Sequence, residues 1–248
     1  MTLPLLTSLF VGSVAGYLGS LMVTKRMALV GGPMGHLALP GVALGLLYGV
    51  DVFWGGLATI LLGSALIWLL SLKSELHLEA ITAVVFPSTV ALGFLLLPIE
   101  QAKKALIGDI TSISLSDTVL SVVIAISVIF ILSKIYKKVI LGGLSPDLAF
   151  SEGVNIQRTN LIYMLCIAFV VAIEVKLVGV LLPAALMSIP GASARGIGSS
   201  LNQYALLSTF FGAVSALFGT LIALIGGLPA GPVIILIASA IFLLSLLF

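Results

Sequence analysis

The chain has 248 residues, of which 60% are hydrophobic and only 8% are charged. Because a typical soluble domain is about one quarter charged, a water-soluble fold of this length would lack the polar residues to cover its surface. This composition predicts an integral membrane protein. The net charge of +2 gives no sign of nucleic-acid binding, and the single cysteine, Cys166, excludes an intrachain disulfide and is expected to be a small buried residue.

Apolar runs rich in Leu, Ile, Val and Ala follow one another along the chain, without the alternation typical of barrel strands. A helix needs about 20 residues to cross the bilayer core, and its backbone polar groups must be satisfied internally. We therefore expect an all-α, polytopic membrane protein with about nine transmembrane helices, or eight as the alternative. The nine predicted spans are 4–23, 34–50, 53–72, 80–98, 117–133, 160–174, 177–194, 204–225 and 232–248.

The basic residues predict the orientation of these spans. If Lys25 lies in the cytoplasm, eight of the eleven Lys and Arg residues share its side, which satisfies the positive-inside rule. The expected location is the cell membrane, with the N-terminus outside and the C-terminus in the cytoplasm. Glu174 and Lys176 are expected at the outer rim, in reach of lipid headgroups. If 160–194 is one long broken helix instead, every later segment has the opposite direction.

The longest predicted cytoplasmic loop, 134–159, contains the features of a short capped helix. Ser145 suits the N-cap, and Pro146 suits the first helical position. Asp147 lies in the first turn, where the helix dipole favours an anion. Gly153 suits the left-handed position after the last turn. We expect an ordered helix on the cytoplasmic face.

Glycine and proline are concentrated in the second and seventh predicted spans. Pro40 and Gly41 are expected to break the second span, and Pro190 and Gly191 the seventh. Such breaks free backbone carbonyls, which are tolerated at membrane depth only beside protein or a water-filled cavity. Close helix packing through small residues explains the same pattern equally well.

His36 is the one ionisable residue that falls clearly within a predicted span. Imidazole is a common transition-metal ligand, although a hydrogen bond to a neighbouring helix is an equal alternative. His77, between Glu75 and Glu79, is more simply explained as part of a solvated loop. Asp109 lies near a pore mouth or caps a turn. The sequence contains no Walker A loop, no ordered Ser/His/Asp set and no zinc-protease motif.

Four stretches of this sequence resemble the permeases of zinc and manganese ABC importers. They are 26–31 with His36 and 39–45; 106–110; 145–154 with 157–158; and 178–195 with 229–232. They occur in the order and spacing of that family, from near residue 10 to the end. The resemblance therefore covers almost the whole chain.

The resemblance implies a type II ABC importer permease with one transmembrane domain, 1–248, and a cytoplasmic coupling helix, 144–154. It implies that ATP hydrolysis belongs to two separate ATPase subunits, that the permease is a homodimer in the lipid bilayer, and that an extracytoplasmic metal-binding protein delivers the cargo. The implied metal pathway contains His36 and Asp109, with no stably bound cofactor. The implied ATPase-coupling residues are Pro146, Asp147, Ala149, Glu152 and Gly153.

Two positions depart from the pattern of that family. It usually has an aspartate four residues before the histidine of the second span, where this chain has Gly32. It often has a histidine in the fourth span, where this chain has Pro87. We expect import of Zn²⁺ first and Mn²⁺ second, because the paired imidazoles of a two-copy pore favour Zn²⁺. Import of a metal chelate or other small solute by the same architecture, or a non-transporting membrane scaffold, are the alternatives.

Overall fold

The computed structural model describes residues 2–25, 31–74, 76, 78–96, 106, 108, 110, 113–180 and 182–247. Within these residues the chain forms eleven bounded α-helices and no strand. The helices are α1 Thr2–Thr24, α2 Gly31–His36, α3 Leu39–Tyr48, α4 Val52–Lys73, α5 Leu78–Leu96, α6 Leu115–Leu144, α7 Pro146–Ser151, α8 Ile156–Val178, α9 Pro183–Arg195, α10 Leu201–Gly226 and α11 Ala230–Ser245.

Five of these helices, α1, α4, α6, α8 and α10, are long and apolar enough to cross a membrane. Three shorter apolar segments accompany them: Met34–Tyr48, Ala80–Leu96 and Ala230–Ser245. The all-α, multi-pass architecture predicted from composition is confirmed. The figure of nine spans stays a prediction.

Helix α1 lies against α10 and α9 at very short interhelical distances, because small residues line its contact faces. A Cβ atom added at Gly16 would collide with the Ser208 carbonyl, and one added at Gly19 would collide with the Met187 carbonyl. The Ser208 hydroxyl donates a hydrogen bond to the Gly16 carbonyl. Close approach through glycine, followed by interhelical hydrogen bonding, is how helices associate when lipid supplies no hydrophobic drive.

Residue contacts give the relative directions of α1, α8 and α9. Lys25, at the end of α1, donates a hydrogen bond from Nζ to Asn160 Oδ1 near the start of α8, at 2.9 Å. Arg195, at the end of α9, lies with Nη1 3.4 Å from the Val23 carbonyl oxygen. Helix α8 is therefore antiparallel to α1, whereas α9 is parallel to it. The chain reverses between α8 and α9, so 160–194 is not one long broken helix.

Three predicted boundaries in the second half of the chain were wrong. Helix α6 does not end near residue 133 but continues to Leu144. Helix α8 continues to Val178, past both the predicted end at 174 and the predicted start of the next span at 177. The charges of Glu174 and Lys176 suggested a helix end, but both residues lie inside a continuous helix, where Lys176 is ion-paired and Glu174 is buried.

The bundle has two ends, which we name after the basic residue that marks each. The Lys25 end contains the end of α6, where Gly143 lies beside the Lys25 side chain, together with α7 and the start of α8. The Lys176 end contains the end of α8 and the starts of α4 and α6. The loops predicted to be cytoplasmic around Lys25, Arg158 and Arg195 thus meet at one end. Which end faces the cytoplasm stays a prediction.

Candidate functional site

A break in the backbone lies directly after His36, between α2 and α3. Pro40 occupies the first turn of α3 and has no N–H group to donate to the His36 carbonyl, so the helical hydrogen-bond ladder is interrupted there. The Ala38 N–H donates to the Gly35 carbonyl at 3.1 Å, in a turn rather than a helix. The break therefore precedes Pro40 and Gly41, which belong to α3 itself.

His36 is half-buried, and its imidazole ring lies against α5, with its centroid 5.1 Å from that of Phe86. Met34 faces α4 instead, where the Ser64 hydroxyl lies 3.5 Å from its sulfur atom. In the part of the chain that the structure describes, no three His, Cys, Asp or Glu side chains lie together as a metal site. Asp109 and His77 lie outside the described residues. His36 is thus a single ligand in a packed environment.

Pro190 and Pro87 both lie inside continuous helices. Helix α9 runs from Pro183 to Arg195 through Pro190 and Gly191, so the predicted break of the seventh span at these residues was wrong. The actual interruption lies earlier, between α8 and α9. A Cβ atom at Gly191 would come 2.7 Å from the Gly19 carbonyl oxygen, so this glycine serves close packing on α1. Pro87 lies inside α5 on an exposed face.

Helix α7 has its capping groups at both ends. The Ser145 hydroxyl oxygen accepts the Leu148 N–H at 3.3 Å, and Pro146 is the first helical residue. At the other end, the N–H of Gly153 donates to the Phe150 carbonyl at 3.0 Å. The φ angle of Gly153 is +70°, the left-handed conformation that glycine adopts at low cost.

The C-terminal cap of α7 is a complete Schellman motif. Its second hydrogen bond joins the Val154 N–H to the Ala149 carbonyl at 2.9 Å. Because both ends are satisfied, this helix of only six residues has a defined orientation at the Lys25 end. Isolated helices of such length are unstable in water, so caps and packing must hold it.

One side of α7 is attached to the bundle and the other is free. Ala149, one of the coupling residues that the resemblance implies, is 0% exposed and lies on the attached side. Asp147 and Glu152 are exposed, and Phe150 is 83% exposed. Beside Phe150 and Gly153 lies a groove of about 460 Å³, which continues along residues 154–157. The helix thus offers a firm apolar and acidic surface next to a concave one.

An ion cluster at the Lys176 end was missed by the sequence analysis. Lys176 Nζ lies 2.6 Å from Asp117 Oδ1 and 3.1 Å from Asp51 Oδ2. Asp51 also caps α4 by accepting the Phe53 N–H at 2.8 Å. Asp117 also belongs to a capping box with Ser114 at the start of α6. Each cap could be found from its sequence pattern, whereas the cluster requires three helix ends to meet.

Glu174 lies elsewhere than the sequence suggested. It was expected at the outer rim, but its side chain is 0% exposed. Among the residues that the structure describes, neither carboxylate oxygen of Glu174 has a hydrogen-bond partner. Because α8 continues to Val178, Glu174 lies a full turn inside the helix and not at its end.

At the Lys25 end, Lys25 is partly enclosed by α8. Its ammonium lies 5.2 Å from the centroid of the Tyr163 ring, in a cation–π arrangement. Burial lowers the pKa of the Lys25 ammonium. The side chain is therefore held between α1 and α8.

The whole chain, residues 1–248, matches the ABC 3 transport family. This protein belongs to that family. The manganese transport system membrane protein MntC of Listeria monocytogenes is 31% identical over 249 residues, which covers 98% of this chain and 89% of that protein. The high-affinity zinc uptake system membrane protein ZnuB of Buchnera aphidicola is 27% identical over 246 residues, 97% of this chain and 94% of that protein.

Solved structures have the same fold. PsaBC from Streptococcus pneumoniae, determined in complex with a Fab, superposes with a TM-score of 0.85 at 26% identity, over 98% of this chain and 89% of that one. An inward-facing ABC transporter described as metal-chelate type superposes with a TM-score of 0.80 at 22% identity, over 98% of this chain and 84% of that one. The resemblance predicted from sequence is confirmed. As an ABC 3 permease, the chain is the membrane subunit and not the ATP-hydrolysing one.

Proposed function

We propose that this permease belongs to an ABC importer that moves a divalent transition-metal ion, Mn²⁺ or Zn²⁺, into the cytoplasm. The observation that carries the proposal is His36, an imidazole at a backbone break between two packed half-helices. Non-helical backbone at membrane depth is typical of substrate pathways. Relatives that align over nearly the whole chain are named for manganese and for zinc transport.

In this proposal, ATP hydrolysis by the partner subunits is coupled to the permease through α7. Two ATPase subunits would dock on the Lys25 end of a permease homodimer, against the exposed face of α7 and the groove beside Phe150 and Gly153. The firm caps of α7 support this role, because a rigid helix transmits a displacement that a flexible loop would absorb. An extracytoplasmic binding protein would deliver the ion at the Lys176 end. This arrangement includes the type II architecture, the nine spans and the cytoplasmic C-terminus.

The test is ATP-driven uptake of radioactive Mn²⁺ and Zn²⁺ into vesicles that contain the permease with its ATPase. We expect His36→Ala to reduce uptake about tenfold or more, because the pathway loses its imidazole ligand. Met34→Leu is the matched control, since Met34 lies on α2 but faces α4. Wild-type uptake by His36→Ala would remove His36 from the pathway. Uptake of metal only as a chelate would support the chelate alternative.

A second variant tests the coupling role in the same vesicles. Asp147 is exposed in the first turn of α7, so its reversal leaves the fold of the bundle intact. We expect Asp147→Lys to weaken transport-linked ATP hydrolysis while Ser151→Ala, on the same helix, has little effect. Full coupling in Asp147→Lys would contradict docking at α7. A permease that retains no ATPase on purification would favour the scaffold alternative.

A further inference from the structure

Glu174 is the one buried charged residue that the mechanism above does not use. Among the described Asp, Glu, Lys, Arg and His side chains, it alone is fully buried. Both described salt bridges belong to Lys176, and neither involves Glu174. An ionised carboxylate inside a membrane protein is costly unless a cation lies against it, so such residues mark ion or proton pathways.

The geometry of α8 directs Glu174 away from the ion cluster at the Lys176 end. Two residues of an α-helix are separated by about 200° around the axis. Lys176 points toward Asp51 and Asp117, on α4 and α6. Glu174 therefore points toward the opposite side of α8, into the bundle.

Helix α2 packs against α8. Glu174 lies one turn, about 6 Å, before the end of α8 at Val178. Directly beyond that end, the segment between α8 and α9 lies against Gly35 of α2. A Cβ atom added at Gly35 would be 3.0 Å from the Val180 carbonyl oxygen and 3.2 Å from Pro183 Cγ. His36 is the next residue along α2. His36 and Glu174 thus belong to neighbouring helices near the same end of α8.

We propose that Glu174, on α8, is a ligand of the transported divalent cation and binds it as the ion passes His36 on the neighbouring helix α2. The inference rests on the proposed function and assigns one residue within it. The ion would supply the positive charge that no described side chain places against Glu174. A carboxylate oxygen suits Mn²⁺, and an imidazole nitrogen suits the later metals, so the pair accommodates both ions named for the relatives.

The decisive variant is Glu174→Gln, which keeps the shape of the side chain and removes its negative charge. In the vesicle assay, we expect uptake of Mn²⁺ to fall about tenfold or more, as for other losses within a metal site. Assembly with the ATPase should be unchanged. Glu174→Asp keeps the charge and should retain part of the uptake.

A rescue variant separates a lost ligand from a lost structural contact. Position 32 lies one helical turn before His36, so a carboxylate placed there can share an ion with the imidazole. We expect Gly32→Asp to restore part of the uptake in the Glu174→Gln background. Restoration would not occur if Glu174 served packing alone.

A measurement on the unmodified complex applies even if Glu174→Gln fails to assemble. Dicyclohexylcarbodiimide modifies buried carboxyl groups in membranes, and mass spectrometry locates the adduct. Mn²⁺ should protect Glu174 from this reagent, whereas Mg²⁺ should not. Equal labelling with and without Mn²⁺, or wild-type uptake by Glu174→Gln, would overturn the assignment. The proposed function would stand in that case if uptake still depended on His36, and would fail only if the wild-type complex moved no metal.

Discussion

Glu174 and Lys176 are two residues apart on α8, yet the protein treats their charges in opposite ways. Lys176 lies between two carboxylates that belong to the starts of two other helices. Glu174 is fully buried, and no described group pairs with either of its oxygens. Sequence position alone placed both residues at the membrane rim.

The two residues differ because they lie on different faces of α8, although both are near the same end of that helix. Because α8 continues to Val178, Lys176 points toward the starts of α4 and α6, whereas Glu174 points toward the bundle interior. A charge satisfied by the protein stabilises the fold. A charge left without a partner costs stability, and a protein retains it when function requires it. The comparison therefore divides these residues into a structural and a functional one.

The largest expected effect comes from reversing the buried charge. Glu174→Lys would place an ammonium in a site with no carboxylate to receive it, and we expect a loss of about 3 kcal/mol or more in unfolding free energy. Thermal unfolding of the purified permease in detergent measures it. Glu174→Gln is the control and should unfold near the wild-type temperature. If Glu174→Lys were as stable as wild type, water would have to reach this site, and the contrast with Lys176 would disappear.

Removing the shared cation of the cluster should have an intermediate effect. Lys176→Met leaves Asp51 and Asp117 facing each other without a counter-charge, and we expect a loss of about 1–2 kcal/mol in unfolding free energy. The value is modest because water screens the pair with Asp51, which is 47% exposed. Lys176→Arg should retain most of the stability. Metal uptake by the folded Lys176→Met protein should persist, in contrast to Glu174→Gln.

Local capping chemistry was predictable from sequence, because its signals lie within a few residues. Ser145, Pro146 and Gly153 occupy the positions in and around α7 that their conformational preferences indicate. The all-α membrane architecture was also predictable, since composition leaves few alternatives. These features depend on backbone preferences and solvent, which a single sequence contains.

Tertiary relations were not predictable in the same way. Pro190 was expected to end a helix, but packing of Gly191 against α1 holds α9 in one piece. Glu174 was placed at a helix end, because hydropathy treats every charge as a boundary. Whether a charge in a span faces water, an ion partner or the interior depends on which helices surround it, and those contacts come from distant segments.

The smallest expected effect separates the two roles of Asp51 within the cluster. Its carboxylate caps α4 through the Phe53 N–H and also lies 3.1 Å from Lys176 Nζ. Asp51→Asn keeps the cap, because asparagine is as good an N-cap as aspartate. Only the partly exposed ion pair is lost, so unfolding free energy should fall by about 0.5 kcal/mol or less. Asp51→Ala removes both and should cost about 1 kcal/mol more. Equal losses of unfolding free energy in the two variants would mean that Asp51 contributes through its ion pair with Lys176 and not through the cap. The Lys176 end would then be a stronger ionic junction than its exposure indicates.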